Sequence, residues 1–235
     1  MIGTVMDIET TSWLKFDTVD GVSQLSDNSE ILEVGYINID MNTKEILTHG
    51  VLYFYKPYFN IESEAQKVHG LTREFLKKYE QDFEKNLIAL NAMIQCTCLI
   101  GKNSEKFDIP FIKAFIKKHA GVKFDIEDLT FKLGMKKYNN SGTVFYSNTL
   151  HSLDLQSAYK ERFKSLWFDM YGYPLQPGKK GTLEQYVSVI PNGQLATDTI
   201  YSHLDKDRVT GAHGALYDCV MTYVVWADAR NHNVV

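Results

Sequence analysis

The chain has 235 residues and a mass of 27.0 kDa, which is enough for one or two domains and a sizeable core. Its composition, 44% hydrophobic and 23% charged with three cysteines, is globular and excludes a disordered, collagen-like or disulfide-framed chain. No segment approaches the roughly 18 consecutive apolar residues that a membrane helix needs, and the start of the chain carries no secretory signal pattern. We therefore expect a cytoplasmic protein with no membrane partner.

Charge is distributed unevenly along the chain. Overall, 25 basic and 29 acidic residues give a net charge of −4, the wrong sign for a protein that coats duplex DNA. Residues 1–64 hold eleven acidic and three basic residues, a net charge of −8, so the other 171 residues carry +4. This asymmetry is typical of a polyanion-binding face beside a cluster of acids, and it also arises in proteins where it has no function.

The first half of the chain predicts strands followed by helices. Apolar and β-branched runs predict strands at 2–10, 31–39 and 46–55, and their closeness in sequence favours an antiparallel meander. The acid-rich stretch 17–30 between the first two is predicted to be a loop. The next predicted elements are a helix capped by Thr72, a helix with Phe83, Leu87, Leu90 and Ile94 on one face, a strand at 96–101 and a helix over 109–118.

The second half alternates between polar loops and helices. The remaining predicted elements are, in chain order, a loop or β-excursion at 121–150, a strand near 148–153, a helix after Asp154, a Gly/Pro-rich loop at 172–182, a short helix over Leu183–Val189 and a long helix over 214–230. No repeat or linker-like stretch interrupts this order. We therefore expect residues 1–235 to form a single α/β domain, with a mixed five-stranded sheet whose first three strands are antiparallel and with helices on both faces.

An extended loop and helix segment at about 155–182 combines aromatic and basic residues. Its net charge is +3, and its large aromatic residues include Trp167, Phe168, Tyr171 and Tyr173. Aromatic side chains next to basic ones can grip single-stranded nucleic acid by stacking on its bases. Because large aromatic side chains are mostly buried, however, we expect these four to belong to the core.

Two carboxylates, Asp7 and Glu9, stand two residues apart at the end of the first predicted strand. Side chains two apart on a strand share a face, so these charges would repel each other beside an apolar sheet. A bound cation would relieve that cost, and carboxylate oxygens suit Mg²⁺ or Mn²⁺. The alternative is a solvent-facing acidic pair without a ligand.

Two further acids and a histidine lie at predicted element boundaries. Asp108 falls between the fourth strand and the following helix, where an aspartate also serves as an ordinary helix N-cap. Asp218 follows His213 by five residues, about 140° around an ideal helix, so the two cannot face one point from within a regular helix. Gly211 and Gly214 resolve this, because they allow His213 to lie in the loop that enters the helix.

Taken together, these residues resemble a known set of motifs. Asp-Ile-Glu-Thr-Thr at 7–11, Asn103 followed by Lys-Phe-Asp-Ile-Pro-Phe at 106–111, and His-x-Ala-Leu-x-Asp at 213–218 resemble the three motifs of the DEDDh family of 3′–5′ exonucleases. That family includes bacterial polymerase proofreading subunits, ribonuclease T and oligoribonuclease. The motif order and spacing agree with the family over residues 5–225.

Minor positions support the same resemblance. Glu33 in Ile-Leu-Glu-Val-Gly and His69 in His-Gly-Leu-Thr both match the family, the histidine in a role that we expect to be structural. One departure stands after the first motif, where Ser12-Trp13 replaces the glycine that the family usually has. Trp13 is therefore a further, weaker candidate for contact with the terminal nucleotide.

The resemblance implies a ribonuclease H-like fold and two-metal hydrolysis of a phosphodiester at a 3′ end. It assigns two Mg²⁺ or Mn²⁺ ions to four acids, Asp7, Glu9, Asp108 and Asp218. It also assigns to His213 the removal of a proton from the attacking water, a role that suits an imidazole pKa of about 6.5. The substrate contacts that it suggests are the backbone of Thr10 and Thr11, together with Asn103 and Phe107.

Our leading expectation is therefore a divalent-metal-dependent 3′–5′ exonuclease that shortens single-stranded nucleic acid from its 3′ end and releases nucleoside monophosphates, with DNA favoured. An exoribonuclease acting on short RNA or RNA 3′ ends is the first alternative, since the sequence does not place contacts to the 2′-OH. A non-catalytic nucleic-acid-binding or polymerase-associated module is another, although clustered acids would repel phosphate. A structural metal-binding domain is the third. Because the family includes proofreading subunits, a polymerase or replication protein is a candidate partner.

Overall fold

A seven-stranded mixed sheet forms the centre of the protein. The structure, a computed structural model, describes residues 2–13, 15–19, 22–26, 28–96, 98–120, 135–137, 143–146, 151–205 and 214–235. Its strands are β1 (Ile2–Thr10), β2 (Phe16–Val19), β3 (Val22–Leu25), β4 (Ile31–Asp40), β5 (Ile46–Tyr53), β6 (Cys98–Gly101), β7 (Met135–Lys137), β8 (Thr143–Tyr146) and β9 (His151–Asp154). The order in the sheet is β5-β4-β1-β6-β9-β8-β7, and β2 and β3 form a separate hairpin.

Strand β1 pairs antiparallel with its neighbour on one side and parallel with its neighbour on the other. Strands β1, β4 and β5 pair antiparallel, as the sequence predicts, whereas β6 pairs parallel to β1 and β9 pairs parallel to β6. Strands β8 and β7 then continue antiparallel. Strand β1 is thus a central strand, and its carboxyl end lies next to the connection that leaves β6 and the connection that enters β4.

The helices occupy both faces of the sheet. They are α1 (Ser63–His69), α2 (Arg73–Lys78), α3 (Phe83–Cys96), α4 (Asp108–Ala120), α5 (Leu155–Ala158), α6 (Lys160–Tyr171), α7 (Leu183–Val189), α8 (Gly193–Leu204) and α9 (Ala215–Asn231). Met6 and Ile8 of β1 pack in one apolar cluster with residues of α2, α3 and α4. Val5, which points to the opposite face, packs in a second cluster with residues of α5 to α9. The mixed sheet with helices on both faces is confirmed.

Several local signals explain where the helices begin and end. Thr72 caps α2, since its hydroxyl accepts the backbone N–H of Phe75 at 3.1 Å. Thr182 and Gln185 form a reciprocal capping box at the start of α7. Gly172 adopts a left-handed conformation (φ 73°) at the end of α6, as helix C-caps often do. The predicted helices after Asp154 and over Leu183–Val189 are therefore confirmed.

The structure differs from the predicted elements in three places. The five predicted strands of the sheet are confirmed, and β7 and β8 extend the sheet to seven. The stretch 17–30 is not simply a loop, since β2 and β3 form an antiparallel hairpin there; Asp-Gly, the sequence between these strands, is a pair typical of hairpins. Helix α8 was not predicted, although its apolar residues Ala196, Ile200 and Leu204 recur at every fourth position and pack on the second cluster.

The aromatic residues of the 155–182 segment divide between core and surface. Trp167 is partly buried against the second cluster. Phe168, Tyr171 and Tyr173, in contrast, are 53%, 43% and 54% exposed. The expectation that these aromatic side chains are core is therefore wrong for three of the four. Tyr159 and Phe163, one helical turn apart, instead supply the buried face of this segment.

Among the helices that the structure describes, none combines the length and the apolar character required to cross a bilayer.

Candidate active site

Strand β1 presents the first two acids of the candidate site. Asp7 and Glu9 alternate with the buried residues Met6 and Ile8, so both carboxylates point to the face of the sheet that α9 covers. Both side chains are partly buried. The i, i+2 spacing on a strand thus places the two charges side by side, as the sequence predicts.

Helix α9 brings the third acid to the same place. Asp218 lies in its first turn, with its backbone N–H donating to the Gly214 carbonyl at 3.2 Å. The helix start can approach the sheet because β4 has Gly35 there: a Cβ on this residue would lie 2.3 Å from the carbonyl carbon of Ala215. Ligand oxygens of Asp7, Glu9 and Asp218 consequently lie within 4.8 Å of one another.

Asp108 is the fourth acid, at the start of α4. It is buried, and its carboxylate accepts a hydrogen bond from the backbone N–H of Ile8 on β1. Burial raises the pKa of Asp108 to about 7, hydrogen bonds from its own backbone and from Ile8 oppose this, and the charges of Asp154 and Asp218 add to it. The four acids of the predicted motifs are thus close enough to influence one another, although Asp108 is not among the three whose oxygens approach most closely.

Electrostatic repulsion within this cluster is strong. Burial raises the pKa of Asp7 well above its ordinary value, and Asp218, Asp108 and Glu9 raise it further. Burial also raises the pKa of Glu9 to about 9, with Asp218 as the next contributor. Clustered carboxylates of this kind are destabilising when all are ionised. A bound cation would offset the repulsion.

The donor set fits a divalent metal ion. Three carboxylates with oxygens within 4.8 Å of one another provide hard anionic ligands, the type that Mg²⁺ and Mn²⁺ prefer. Asp108, held beside Asp7, adds a fourth carboxylate. This site lies at the end of β1, between the start of α4 and the start of α9, so each of the three motifs places at least one carboxylate there.

A fifth acid, Glu33, stands behind the cluster. It is opposite Glu9 in the β1–β4 register and is fully buried. Its Oε2 accepts the backbone N–H of Ala215 at 3.4 Å, and within the described part of the chain Oε1 has no hydrogen-bond partner. Burial raises its pKa to about 7, the bond from Ala215 lowers it, and the charge of Asp218 raises it. The sequence indicates this residue as an acid within an apolar strand and as a minor match to the family, but not as a neighbour of the other acids.

Thr10 ends β1, and Thr11 begins the loop that follows it. The Thr10 hydroxyl donates to the Ser12 carbonyl at 2.8 Å. Thr11 is bound more completely, because its N–H donates to the Glu30 carbonyl at 2.9 Å and its hydroxyl to the Asn28 carbonyl at 2.7 Å. Both side chains are buried. These bonds fix the loop, and a backbone contact from either threonine to a substrate stays a prediction.

His69 braces the same loop. Its Nδ1 accepts the Leu71 N–H at 2.9 Å, so Nε2 carries the proton and donates to the Thr10 carbonyl at 3.2 Å. Burial lowers the pKa of His69, and the bond to Thr10 opposes that shift only partly. A neutral histidine with both nitrogens occupied agrees with the expected structural role.

Asn103 and Phe107 lie in the turn between β6 and α4. Asn103 adopts a left-handed conformation (φ 63°), and its N–H donates to the Asp154 carboxylate at 3.0 Å. The Phe107 ring meets the Trp13 ring edge-to-face, with 6.1 Å between centroids. Trp13 is 74% exposed. The loops after β1 and β6 thus carry an aromatic pair close to the acids, and contact between this pair and a substrate stays a prediction.

The predicted general base, His213, lies outside the described residues. The next residue along the chain, Gly214, caps α9 in an extended conformation. Tyr217, which lies next to Asp218 in sequence, directs its hydroxyl to Gln194 and Asp198 of α8, at 2.8 and 3.1 Å. The Tyr217 hydroxyl is thus held by α8.

Comparison with solved structures identifies the fold. E. coli Exonuclease I in complex with a dT13 oligonucleotide superposes with a TM-score of 0.58 and 13% identity, covering 97% of this chain and 41% of that chain. A moderately thermophilic Exonuclease I from Methylocaldum szegediense superposes with a TM-score of 0.60 and 15% identity, covering 98% and 40%. The zinc-bound form of the E. coli Exonuclease I–ssDNA complex gives a TM-score of 0.56 and 14% identity, covering 98% and 40%.

These matches confirm the predicted ribonuclease H-like fold, and the chain spans about two fifths of the length of each Exonuclease I structure. Among curated proteins, no sequence matches the chain significantly. Residues 4–225 do match the RNase T family, described as Exonuclease. The chain therefore belongs to this exonuclease family.

Proposed function

We propose that this protein is a divalent-metal-dependent 3′–5′ exonuclease of the DEDDh type that acts on single-stranded nucleic acid, with DNA favoured. The observation that carries the proposal is the convergence of Asp7, Glu9 and Asp218, with Asp108 beside them, in a fold shared with Exonuclease I. Clustered acids repel a phosphate unless cations are bound between them. In a binding module without catalysis, these acids would therefore only weaken the binding of nucleic acid.

In this proposal the four acids hold two Mg²⁺ or Mn²⁺ ions. A pair of such ions stabilises the attacking and the leaving oxygens of a phosphodiester hydrolysis. The protein's contribution is to fix the ligands: β1 sets the spacing of Asp7 and Glu9, and the N–H of Ile8 holds the Asp108 carboxylate. His213, one residue before the cap of α9, would accept the proton of the attacking water.

The terminal nucleotide would lie against the loops after β1 and β6. The exposed Trp13 ring and the partly buried Phe107 ring offer an aromatic pair for its base, and Asn103 stands in the same turn as Phe107. The oligonucleotide bound to the similar E. coli Exonuclease I supports a single-stranded DNA substrate. We also propose that residues 1–235 form one domain, since both helical layers pack on one sheet and the family match spans residues 4–225.

The polarity of digestion tests this proposal. A single-stranded DNA with a label at its 5′ end should give a ladder of products shortened one nucleotide at a time, and the same strand labelled at its 3′ end should release a labelled mononucleotide first. The opposite pattern, or cleavage at internal positions only, would contradict the proposal. His213→Ala should lower the rate by a factor of about 10² to 10⁴, the usual contribution of a general base.

RNA 3′ ends are the alternative substrate. Distinguishing RNA from DNA depends on contacts to the 2′-OH. Matched 5′-labelled DNA and RNA strands, digested in parallel with Mg²⁺, should show faster shortening of the DNA. Faster shortening of the RNA would favour the exoribonuclease alternative. A polymerase or replication partner and a cytoplasmic location stay predictions.

A further inference from the structure

A lysine-rich cavity lies beside the candidate active site. It has a volume of about 760 Å³, within the range of ligand-binding clefts, and is formed by α6, α7 and the loop 172–182. Five lysines line it, and none of the described lining residues is acidic. These lysines are Lys106, Lys160, Lys164, Lys179 and Lys180. In a chain with a net charge of −4, this concentration of positive charge favours an anionic ligand.

The loop that forms one wall has a fixed shape. Gly178 and Gly181 adopt left-handed conformations (φ 81° and 73°), which other residues rarely adopt. Gly181 also lies close to Phe163: a Cβ would come within 2.6 Å of the Phe163 ring, which stacks on Tyr186 with 4.1 Å between centroids. The C-terminal end of the loop thus packs on the core at Gly181, and Lys179 and Lys180 directly precede this glycine.

One exposed aromatic ring shares the cavity with the lysines. Phe168, which is 53% exposed, lines the cavity from α6. Lys160 and Lys164 stand on the same helix, and Lys164 is paired with Glu161 at 2.9 Å. Positive side chains that meet phosphates, next to an aromatic ring that can stack on a base, are the combination that binds single strands without reading their sequence.

Two lysines relate the cavity to the candidate active site. Lys106 lines it and is separated from Asp108 by Phe107 alone. Lys102 lies 5.5 Å from the centre of the Tyr186 ring, which also lines the cavity, and it is close enough to Asp7 and Asp218 to feel their charges. A nucleic-acid strand that runs from the acids past Lys102 towards Tyr186 would reach the cavity on this side.

We propose that this cavity binds the sugar–phosphate backbone of the substrate on the 5′ side of the scissile bond. The proposal rests on the proposed 3′–5′ polarity, because with the 3′ nucleotide at the acids every remaining nucleotide lies on the 5′ side. The lysines bind phosphates at successive positions, and Phe168 stacks on a base. The cavity thereby increases the affinity of the protein for longer strands, independently of the residues that would hold the metal.

Binding measured without divalent ions tests the proposal, since no cleavage then occurs. The probe is a fluorescein-labelled thymidine oligonucleotide of about 20 nucleotides, longer than typical single-strand sites of about 4–16. In EDTA, the triple variant Lys160→Ala, Lys179→Ala, Lys180→Ala should bind it at least tenfold more weakly at low salt. The slope of log affinity against log salt should become shallower by about 2, because each lysine–phosphate pair on a single strand contributes about 0.7 to it.

A second triple variant controls for overall charge. Lys67, Lys77 and Lys85 belong to α1, α2 and α3, which do not line the cavity, and Lys→Ala changes there remove the same three charges. This variant should retain the wild-type salt slope. Equal reductions in affinity in both variants, a reduction below twofold in the cavity variant, or no binding by the wild type would overturn the proposal. Competition by free dTMP as effective, per molecule, as by the oligonucleotide would do the same, because it would identify a mononucleotide site.

The failure of this proposal can be distinguished from failure of the proposed function. Digestion of a trinucleotide, too short to reach far into the cavity, should proceed at wild-type rate in the cavity variant, while digestion of the long strand at low concentration should slow at least tenfold. A cavity variant that loses both activities equally would contradict the proposed role. If the wild type degrades nothing and yet the binding contrast holds, the exonuclease assignment fails and the cavity remains a strand-binding site.

Discussion

At the scale of single residues, the candidate site is a set of charges held at an energetic cost. Burial raises the pKa values of Asp7, Glu9 and Asp108, and the charge of Asp218 raises all three further. Such an arrangement is stable only with protons or cations bound. The metal-free protein should therefore bind protons more readily in its folded state than in its unfolded state.

Glu33 offers the clearest test of this cost, because it stands behind the ligands rather than among them. The pKa of Glu33 is raised to about 7 in the folded protein, so the folded state keeps this proton to a higher pH than the unfolded state does. The ionisation of Glu33 therefore destabilises the fold fully above about pH 7 and not at all below about pH 4. Glu33→Gln keeps an acceptor for the Ala215 N–H and removes the charge. In EDTA, it should increase the free energy of unfolding by about 1–3 kcal/mol more at pH 8 than at pH 5.

Urea unfolding at the two pH values measures this difference. Glu45→Gln is a suitable control, since Glu45 is exposed beyond the end of β4 and the change removes one carboxylate from the surface rather than from the interior. A gain from Glu33→Gln that is the same at pH 5 and pH 8 would contradict the assigned titration.

The sequence predicts some of these residues by geometry and others only by motif. Asp7 and Glu9 share a face because a strand repeats every two residues, which requires no knowledge of the fold. Asp108 and Asp218 join them only through long-range packing, so spacing alone could not place them together. The burial of Glu33 depends on how closely α9 approaches β4, a distance set by a neighbouring glycine.

At the scale of elements, the contact between α9 and β4 controls the site. Gly35 has no Cβ, which lets the backbone of Ala215 lie against the strand and places Asp218 beside Asp7. A methyl group at position 35 would come within 2.3 Å of backbone atoms that cannot rotate away. Helix α9 would therefore have to shift.

Gly35→Ala should destabilise the protein by about 1–3 kcal/mol, the usual cost of overpacking. It should also lower the exonuclease rate, because Asp218 moves with its helix. Gly50→Ala is a matched control in the neighbouring strand β5, where the atoms nearest to the added Cβ belong to the Tyr36 side chain. Thermal unfolding and digestion of a labelled strand measure both effects, and equal behaviour of the two variants would contradict this account of α9.

A second contact between elements ties α6 to α9. Arg162 donates to both oxygens of Asp228, at 2.5 and 3.0 Å, and the Tyr159 hydroxyl donates to the same carboxylate. Burial alone would raise the pKa of Asp228, but these hydrogen bonds and the charge of Arg162 outweigh it, so the pKa is lowered. The pair therefore stabilises the fold above about pH 4, and this contribution disappears as the pH falls further.

Arg162→Gln should accordingly lower the free energy of unfolding by about 2 kcal/mol at pH 7, and by less at pH 3, where the Asp228 carboxyl gains a proton. Lys164→Gln, which breaks an exposed pair with Glu161 on the same helix, should leave stability unchanged. Chemical denaturation at both pH values measures this. A destabilisation by Arg162→Gln that does not shrink at pH 3 would show that its role is packing rather than charge.

The elements themselves were predictable where one pattern dominates. The strands β1, β4 and β5 follow from apolar and β-branched runs, and the start of α2 follows from its cap, Thr72. The hairpin β2–β3 was not predicted, because the acidic composition of this stretch favours a loop and its strands are short. The exposure of the aromatic residues of α6 was not predicted, because composition does not reveal which face of a helix is buried.

At the scale of the whole molecule, the charge asymmetry acquires a structural meaning. Part of the −8 in residues 1–64 belongs to Asp7, Glu9 and Glu33 at the candidate site. Positive charge collects beside it, where five lysines line one cavity. A cluster of acids that would bind cations, next to a positively charged cavity, fits a protein that binds a few terminal nucleotides rather than one that coats duplex DNA.

The central claim is that Asp7, Glu9, Asp108 and Asp218 hold the ions that carry out 3′ shortening. It is tested most directly by the rate at which a 5′-labelled single strand shortens as Mn²⁺ is titrated into the wild type and into Asp218→Asn, with folding of both checked by thermal unfolding. We expect no shortening in EDTA, a rate that rises with Mn²⁺ in the wild type, and a rate lower by about 10² or more in the variant. Shortening that persists in EDTA, or a folded Asp218→Asn variant as fast as the wild type, would contradict the claim.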